Sequence, residues 1–273
     1  MQMRASRVLR KLHGGETVIA YWTSLPTGRV VEIAAMLGFD CLLCCQEHVG
    51  NDWSVLEEQI RAAKIHDADV MVRVSRGPYT SYVRPLELDA AGIMVPHLMS
   101  LADAQEIVKM VRFHPLGLRP FDGGNADARY ANIDYFDYIE QANQQRFVTV
   151  QIEDPEPLDE LDDIAALEGI DILFFGPVDF AQAIDAPGQW DHPLITETRQ
   201  RVASVARQHD KFAATIVTAN TIDQALELGY RFLAMGDDVL AICQHCKEVL
   251  GQFAERGLFE PPTEDTGWMF DTM

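Results

Sequence analysis

Basic residues are scarce. Twenty-two Lys and Arg stand against 42 Asp and Glu, a formal net charge of −20 over 273 residues. So acidic a chain is repelled by nucleic acid and by anionic membranes, and neither is expected as a partner. Positive charge for an anionic substrate must then be local, from a metal ion or a placed arginine. Long apolar runs are also missing. None approaches the ~20 residues of a membrane-spanning helix. Residues 1–13, with Arg4, Arg7, Arg10 and Lys11, lack the apolar core of a secretory signal. The expectation is a cytoplasmic protein. Cysteines number five, an odd count that suits reduced thiols rather than a disulfide framework. Cys41, Cys44 and Cys45 fall in a strand-like run. Cys243-Gln244-His245-Cys246 has metal-like spacing but no second pair, so a structural zinc is not expected. No Gly-x-Gly-x-x-Gly follows the first apolar run, and Gly176-Pro177 lacks the lysine of a phosphate loop.

What is present is alternation. Short apolar runs at 17–21, 41–45, 70–74, 92–96, 148–152, 172–175, 212–217 and 232–235 read as strands. Between and after them, 29–37, 53–64, 80–88, 101–113, 135–143, 158–167, 195–209, 221–228 and 237–256 read as helices, with Thr27 and Asp52 or Ser54 as caps. Residues 11–16 read as a polar lead-in. Residues 114–132 hold two prolines and three glycines without an apolar period, as a functional or mobile loop does. Eight strands alternating with helices predict a single-domain α/β fold, a (β/α)8 TIM barrel over 1–256, with 257–273 as a tail, arm or subunit contact. A doubly wound open sheet is the alternative.

Two of these strands lead into acids. Val148-Thr149-Val150-Gln151-Ile152 runs into Glu153, and Phe174-Phe175-Gly176-Pro177-Val178 into Asp179, 26 residues later. That spacing fits adjacent parallel strands joined by one helical crossover. Two hard oxygen ligands at neighbouring strand ends suit Mg²⁺ or Mn²⁺. Helix caps or solvated loop acids are the competing reading. In a barrel the C-terminal strand ends share one mouth, which would also collect Glu47 and His48, Arg73, Pro96-His97, Gln151 and Asp237-Asp238. His48 is a candidate base or simply a polar histidine. Arg73, in an otherwise apolar strand, is either salt-bridged or placed for an anion. His97 is a possible ligand or base, or incidental. Glu87 and Asp89, at a helix end, are solvated by default, and Asp237 and Asp238 most simply cap the last helix.

Together these residues resemble a family. Gly38-Phe39-Asp40 through Glu47-His48, Val72-Arg73-Val74, Val95-Pro96, Val150-Gln151-Ile152-Glu153 and Gly176-Pro177-Val178-Asp179 are similar to the metal-dependent class II pyruvate aldolases of the HpcH/HpaI type, allied to citrate lyase β. Pro187-Gly188, His192-Pro193 and Phe232-Leu233-Ala234-Met235-Gly236 extend the likeness, which runs from about residue 18 to 250. The resemblance implies cleavage of a 4-hydroxy-2-oxo acid to pyruvate and an aldehyde, or the reverse addition. It implies Glu153 and Asp179 as ligands of Mg²⁺, Mn²⁺ or Co²⁺ chelating pyruvate, and Arg73 stabilising the enolate oxygen. It implies His48 as the base, Glu87 as that histidine's partner acid, and Gln151, Val178, Arg73 and Asp179 against the bound pyruvate. It further implies a homo-oligomer, often a trimer of dimers, with the final helix exchanged between neighbours. The chain departs from the family pattern at Cys45, where Asp is common, at Glu87 for Asp, at Gly117-Leu118-Arg119-Pro120 for Gly-x-Arg-Gly, and at Ala181 for Ser. A CoA-thioester lyase of the citrate lyase β kind and a catalytically silent keto-acid- and metal-binding homologue are the alternatives.

Overall fold

A computed structural model describes residues 1–260. All eight expected strands are present: β1 (Val18–Thr23), β2 (Cys41–Cys45), β3 (Asp69–Arg73), β4 (Gly92–Val95), β5 (Phe147–Ile152), β6 (Ile172–Phe175), β7 (Phe212–Ile216) and β8 (Phe232–Asp237). They pair in parallel in chain order and close, β8 returning to β1. The strand period of two divides the core. Leu43, Met71, Met94, Phe147, Phe174 and Phe232 belong to one buried cluster, inside the barrel. Their neighbours Leu42, Val72, Ile93, Val148, Leu173 and Phe175 belong to another, against the helices. Strands buried on both faces read as continuous apolar runs, which is why they were recognisable. Each such side chain taken fully out of water contributes about 1.5–3 kcal/mol.

Helices α2 (Gly28–Leu37), α3 (Trp53–Ile65), α4 (Tyr79–Glu87) and α5 (Leu101–Val111) wrap the first half of the barrel. α6 (Tyr135–Gln145), α7 (Leu161–Ala166, after a 3₁₀ turn at Glu156–Glu160), α9 (Pro193–Gln208) and α10 (Ile222–Leu228) wrap the second. Thr27, Asp52 and Ser100 accept main-chain N–H groups at the starts of α2, α3 and α5, the capping expected of these residue types. Gly38 ends α2 at φ 113, a left-handed conformation that favours glycine.

Two helices escaped the sequence reading. α8 (Pro177–Ala183) begins immediately after β6 and is one short stretch opened by proline. α1 (Arg7–His13) occupies part of the expected polar lead-in. Its Val8, Leu9 and Leu12 join the barrel-interior cluster. Its Arg7 and Lys11 pair with Asp40, and Arg4 just before it pairs with Asp69, acids that immediately precede or open β2 and β3. Ser6 caps it and also donates to Asp69 at 2.6 Å. The charges of this segment seal the N-terminal end of the barrel.

The irregular stretch 114–132 sits at that same end. Asp127, fully buried, accepts hydrogen bonds from Arg146 Nε (2.6 Å), Tyr138 Oη (2.8 Å) and Arg119 Nη2 (3.1 Å), while Arg146 Nη2 donates to Asp89 at 2.5 Å. Arg146 directly precedes β5, and Asp89 lies just before β4. Burial alone would push the Asp127 carboxyl up, but the two guanidinium groups hold it below its ordinary value. The loop is therefore anchored by ions, opposite the mouth where the strands end.

The last helix, α11 (Asp238–Ala254), caps on Asp237 as expected. It does not fold back over the barrel. Every residue from 241 to 250 is exposed, Val249 and Leu250 among them, as are Ile242 and Phe253, and on the barrel Ile19 and Met235 stand uncovered at 46% and 43%. The expected tail at 257–273 falls mostly outside the described residues, beyond 260. Among the described residues no helix is long and apolar enough to cross a membrane.

Candidate active site

Parallel registers bring the chemistry together. Cys45 pairs with Arg73 across β2 and β3, Arg73 with Met94 across β3 and β4, and Gln151 with Phe174 across β5 and β6. The loops that follow, and the first turn of α8, carry Glu47, His48, His97, Glu153, Asp154 and Asp179 to one mouth.

Glu153 is its centre. It is 1% exposed. Oε1 accepts the His97 main-chain N–H at 2.8 Å, and Oε2 accepts the Gln151 side-chain amide. A Cβ on Gly176 would stand 2.9 Å from both Glu153 Oε2 and Gln151 Nε2, so a side chain there would force one of them to shift. Burial, followed by the Asp179 charge, pushes the Glu153 carboxyl up to about 8 against the His97 N–H, the His97 ring and Arg73, which pull it down. Gln151 Oε1 is buried with no hydrogen-bond partner. Asp179 lies in the first turn of α8, with Val178 before it. Two carboxylates that repel each other, one deeply buried, beside an orphaned carbonyl-type oxygen, are the donor set a hard divalent cation fits. Among the described residues no three His, Cys, Asp or Glu side chains form a ready-made metal cluster. Glu153 and Asp179 would supply two ligands, leaving the remainder to water or substrate.

Arg73 is only 13% exposed along its side chain and is held on three sides. Its Nε lies 3.1 Å from Glu47 Oε2, its Nε and Nη2 each donate to Cys45 Sγ at 3.3 Å, and its guanidinium carbon stands 4.8 Å from the Trp22 ring centre. Cys45 also accepts the His48 main-chain N–H at 3.3 Å. Cys45 Sγ, where the resembled family commonly has a carboxylate, thus links the arginine to the histidine loop. His48 itself is 62% exposed, with Nε2 3.7 Å from Glu47 Oε2.

His97, open from sequence to a ligand, base or incidental role, stands against Glu153 and Asp154. It adopts φ 50, a left-handed conformation unusual for a non-glycine residue. Nδ1 lies 2.9 Å from Asp154 Oδ2, and Nε2 lies 3.6 Å from Glu47 Oε1. Burial pulls its pKa down, but the Asp154 hydrogen bond and the Glu153, Asp154 and Glu47 charges raise it above the usual histidine value. Glu47 therefore stands among Arg73, His48 and His97. The sequence placed these residues near the mouth without indicating that linkage. The adjacency of Asp154 to Glu153 was the available signal for Asp154.

One expected partner is not there. Glu87 ends α4, where its neighbours are Arg119, Asp122, Arg84 and Asp127, and its main-chain carbonyl accepts the Asp127 N–H at 3.4 Å. Barrel helices run back toward the N-terminal strand ends, so a residue closing α4 lies away from His48 in the same chain. Counting residues from Arg73 could not reveal that reversal. Asp237 and Asp238 serve structure, as read: besides the cap, they accept hydrogen bonds from Ser24 and Leu25.

Residues 19–244 match the model of the family described as HpcH/HpaI aldolase/citrate lyase. The chain belongs to this family. A hydroxypyruvate/pyruvate aldolase of Pseudomonas aeruginosa is 32% identical over 93% of this chain and 94% of its own. A 2-keto-3-deoxy-L-rhamnonate aldolase of Salmonella dublin is 30% identical over 89% and 91%. Among solved structures, that of a citrate synthase, SbnG, superposes with a TM-score of 0.83 at 28% identity, covering 93% of this chain and 98% of its own. The HpcH/HpaI match spans every strand that contributes to the mouth.

Proposed function

We propose that this chain is a metal-dependent carbon–carbon lyase, cleaving 4-hydroxy-2-oxo acids to pyruvate and an aldehyde or catalysing the reverse addition. The observation that carries the reading is the convergence of Glu153, Asp179, Arg73 and His48 at one barrel mouth, in a chain whose relatives are named aldolases. Glu153 and Asp179 would hold a divalent ion such as Mg²⁺, Mn²⁺ or Co²⁺, which when bound supplies Lewis-acid polarisation of the oxo-acid. Gln151 and the first turn of α8 at Val178 and Asp179 face the pyruvate half. Arg73 is preorganised by Glu47, Cys45 and Trp22, and its charge stabilises the oxygen that turns anionic as the bond breaks. His48, the more exposed of the two mouth histidines, takes the proton of the substrate hydroxyl in cleavage and returns it in addition. The catalytic assignment drops Glu87 as a partner within the same chain.

The test is pyruvate release from a panel of 4-hydroxy-2-oxo acids, with and without EDTA and added Mn²⁺. Metal-dependent release is expected. Release that persists unchanged after stripping the metal would refute the mechanism. The SbnG likeness marks the rival, a citrate-forming or CoA-thioester reaction on the same scaffold, and turnover of CoA thioesters but of no hydroxy-oxo-acid would favour it.

Gly176→Ala probes the cradle directly. The added methyl would press on Glu153 and Gln151, so Mn²⁺ affinity should fall about tenfold or more, as titration calorimetry would read. We also propose a homo-oligomer in which α11 packs on a neighbour and covers apolar surface such as Ile19 and Met235. Phe253→Asp with Ile242→Asp should then lower the mass seen by light scattering. An unaltered mass would show that the α11 face is not the contact.

A further inference from the structure

A guanidinium stays charged whenever the chain is folded, and a half-buried one is ordinarily matched by carboxylates or carbonyls. The rule holds at Arg73, Arg112, Arg119 and Arg146, each with a carboxylate, and at Arg231, whose Nη1 donates to the Leu226 and Tyr230 carbonyls. Arg199 on α9 breaks it. Among the described residues its guanidinium has neither a carboxylate within 4 Å nor a hydrogen-bond acceptor, and its nearest recorded companion is the Phe175 ring, 5.9 Å away. Burial pulls its pKa below the ordinary arginine value, with only Tyr230 opposing. Its charge is matched by no carboxylate or hydrogen-bond acceptor among the described residues, an arrangement that favours an anion in the space beside it.

The side chain lines a cavity of about 230 Å³ between the end of β7, α9 and α10, with Trp190 and Asp191 also in its wall. Thr196 and Gln224 line it too, and neither side chain makes a hydrogen bond among the described residues. Val217 and Ala225 add apolar wall. Asp191, the one acid in the lining, is exposed and forms no ion pair with Arg199. None of the mouth residues Glu47, His48, Arg73, His97, Glu153 or Asp179 lines this cavity, and Arg199 approaches Phe175, in the core layer between barrel and helices.

We propose that this cavity is a binding site for a small organic oxyanion, a carboxylate or phosphate monoester on a short carbon body. Arg199 supplies the charge, Thr196 and Gln224 the hydrogen bonds, and Trp190 and Val217 the apolar wall. The wall is tied to the candidate active site. Thr215 Oγ1 donates to the Phe175 carbonyl at 2.9 Å, and the next residue is Gly176, against Glu153.

The experiment is calorimetry and thermal unfolding of the metal-free full chain with methyl phosphate and with propanoate, which distinguish the two head groups. One-to-one binding to wild type and to Arg73→Lys is expected, with at least a tenfold loss in Arg199→Gln. In buffer free of these anions, Arg199→Gln should unfold at the same or a higher temperature, because an unmatched charge has gone. Asp191→Asn should bind tighter. No binding by wild type, or equal binding by Arg199→Gln, would overturn the proposal. So would a drop in anion-free stability in Asp191→Asn, which would make Asp191 the true partner of Arg199.

Discussion

Glu153→Gln should lose metal-dependent turnover by about 10³-fold or more, with Asp179→Asn close behind. The glutamine keeps the shape and can still accept the His97 N–H. What it gives up is the charge that would hold a divalent ion, and with it polarisation that is worth several kcal/mol in comparable sites. The loss should appear as weakened Mn²⁺ binding before it appears as altered chemistry, so titration calorimetry and kinetics belong together. Full turnover by Glu153→Gln would remove the carboxylate from the mechanism.

The same substitution should act on stability with the opposite sign. The Glu153 carboxyl is raised from about 4.5 to about 8 in the folded, metal-free chain. Between those values the folded state keeps a proton that the unfolded chain has released. Stability of the metal-free protein therefore falls as pH rises through the window. Glutamine cannot ionise and escapes this cost, on the order of a few kcal/mol. Metal-free Glu153→Gln should thus melt above wild type at pH 8–9, and the gap should close toward pH 4.5. Because a bound ion must displace that proton, Mn²⁺ affinity of wild type should climb up to about pH 8. A flat profile would mean that Glu153 is already ionised in the folded chain.

The barrel was legible because its strands are buried on both faces and write themselves as apolar runs, Cys41–Cys45 and Ile172–Phe175 to the residue. The position of Glu153 just past β5 followed from the same pattern, whereas Asp179 stands in the first turn of α8, beyond the end of β6. The misread parts all depend on partners far away in sequence. The end of α1 falls in the expected polar lead-in because Asp40 and Asp69, which neutralise the basic residues of this segment, lie 29 and 58 residues beyond Lys11. Glu87 was placed by counting along one chain, which cannot register that α4 carries it back toward the closed end of the barrel. His97 looked incidental because its significance is the contact of its main-chain N–H with Glu153, 56 residues later. Period and composition report local burial, whereas pairing between charges is tertiary.

Arg73→Ala should lower kcat by about 10²–10³-fold, the scale on which removing one preorganised donor from an anionic transition state is felt. The structure gives a reason to expect the upper part of that range. The guanidinium is restrained by Glu47, by two contacts to Cys45 and by the Trp22 face, so little reorganisation is needed as charge develops. Removing it also leaves Glu47 without its closest cation, beside Glu153 and Asp179 in a mouth already rich in acids. Arg73→Lys separates the two effects. Lysine restores a charge near Glu47 but not the two-nitrogen contact with Cys45, so it should recover most of the stability and only part of the rate. If Arg73→Lys instead restored full turnover, charge alone would be sufficient, and the restraint that β2 and Trp22 impose on the guanidinium would belong to folding rather than to catalysis.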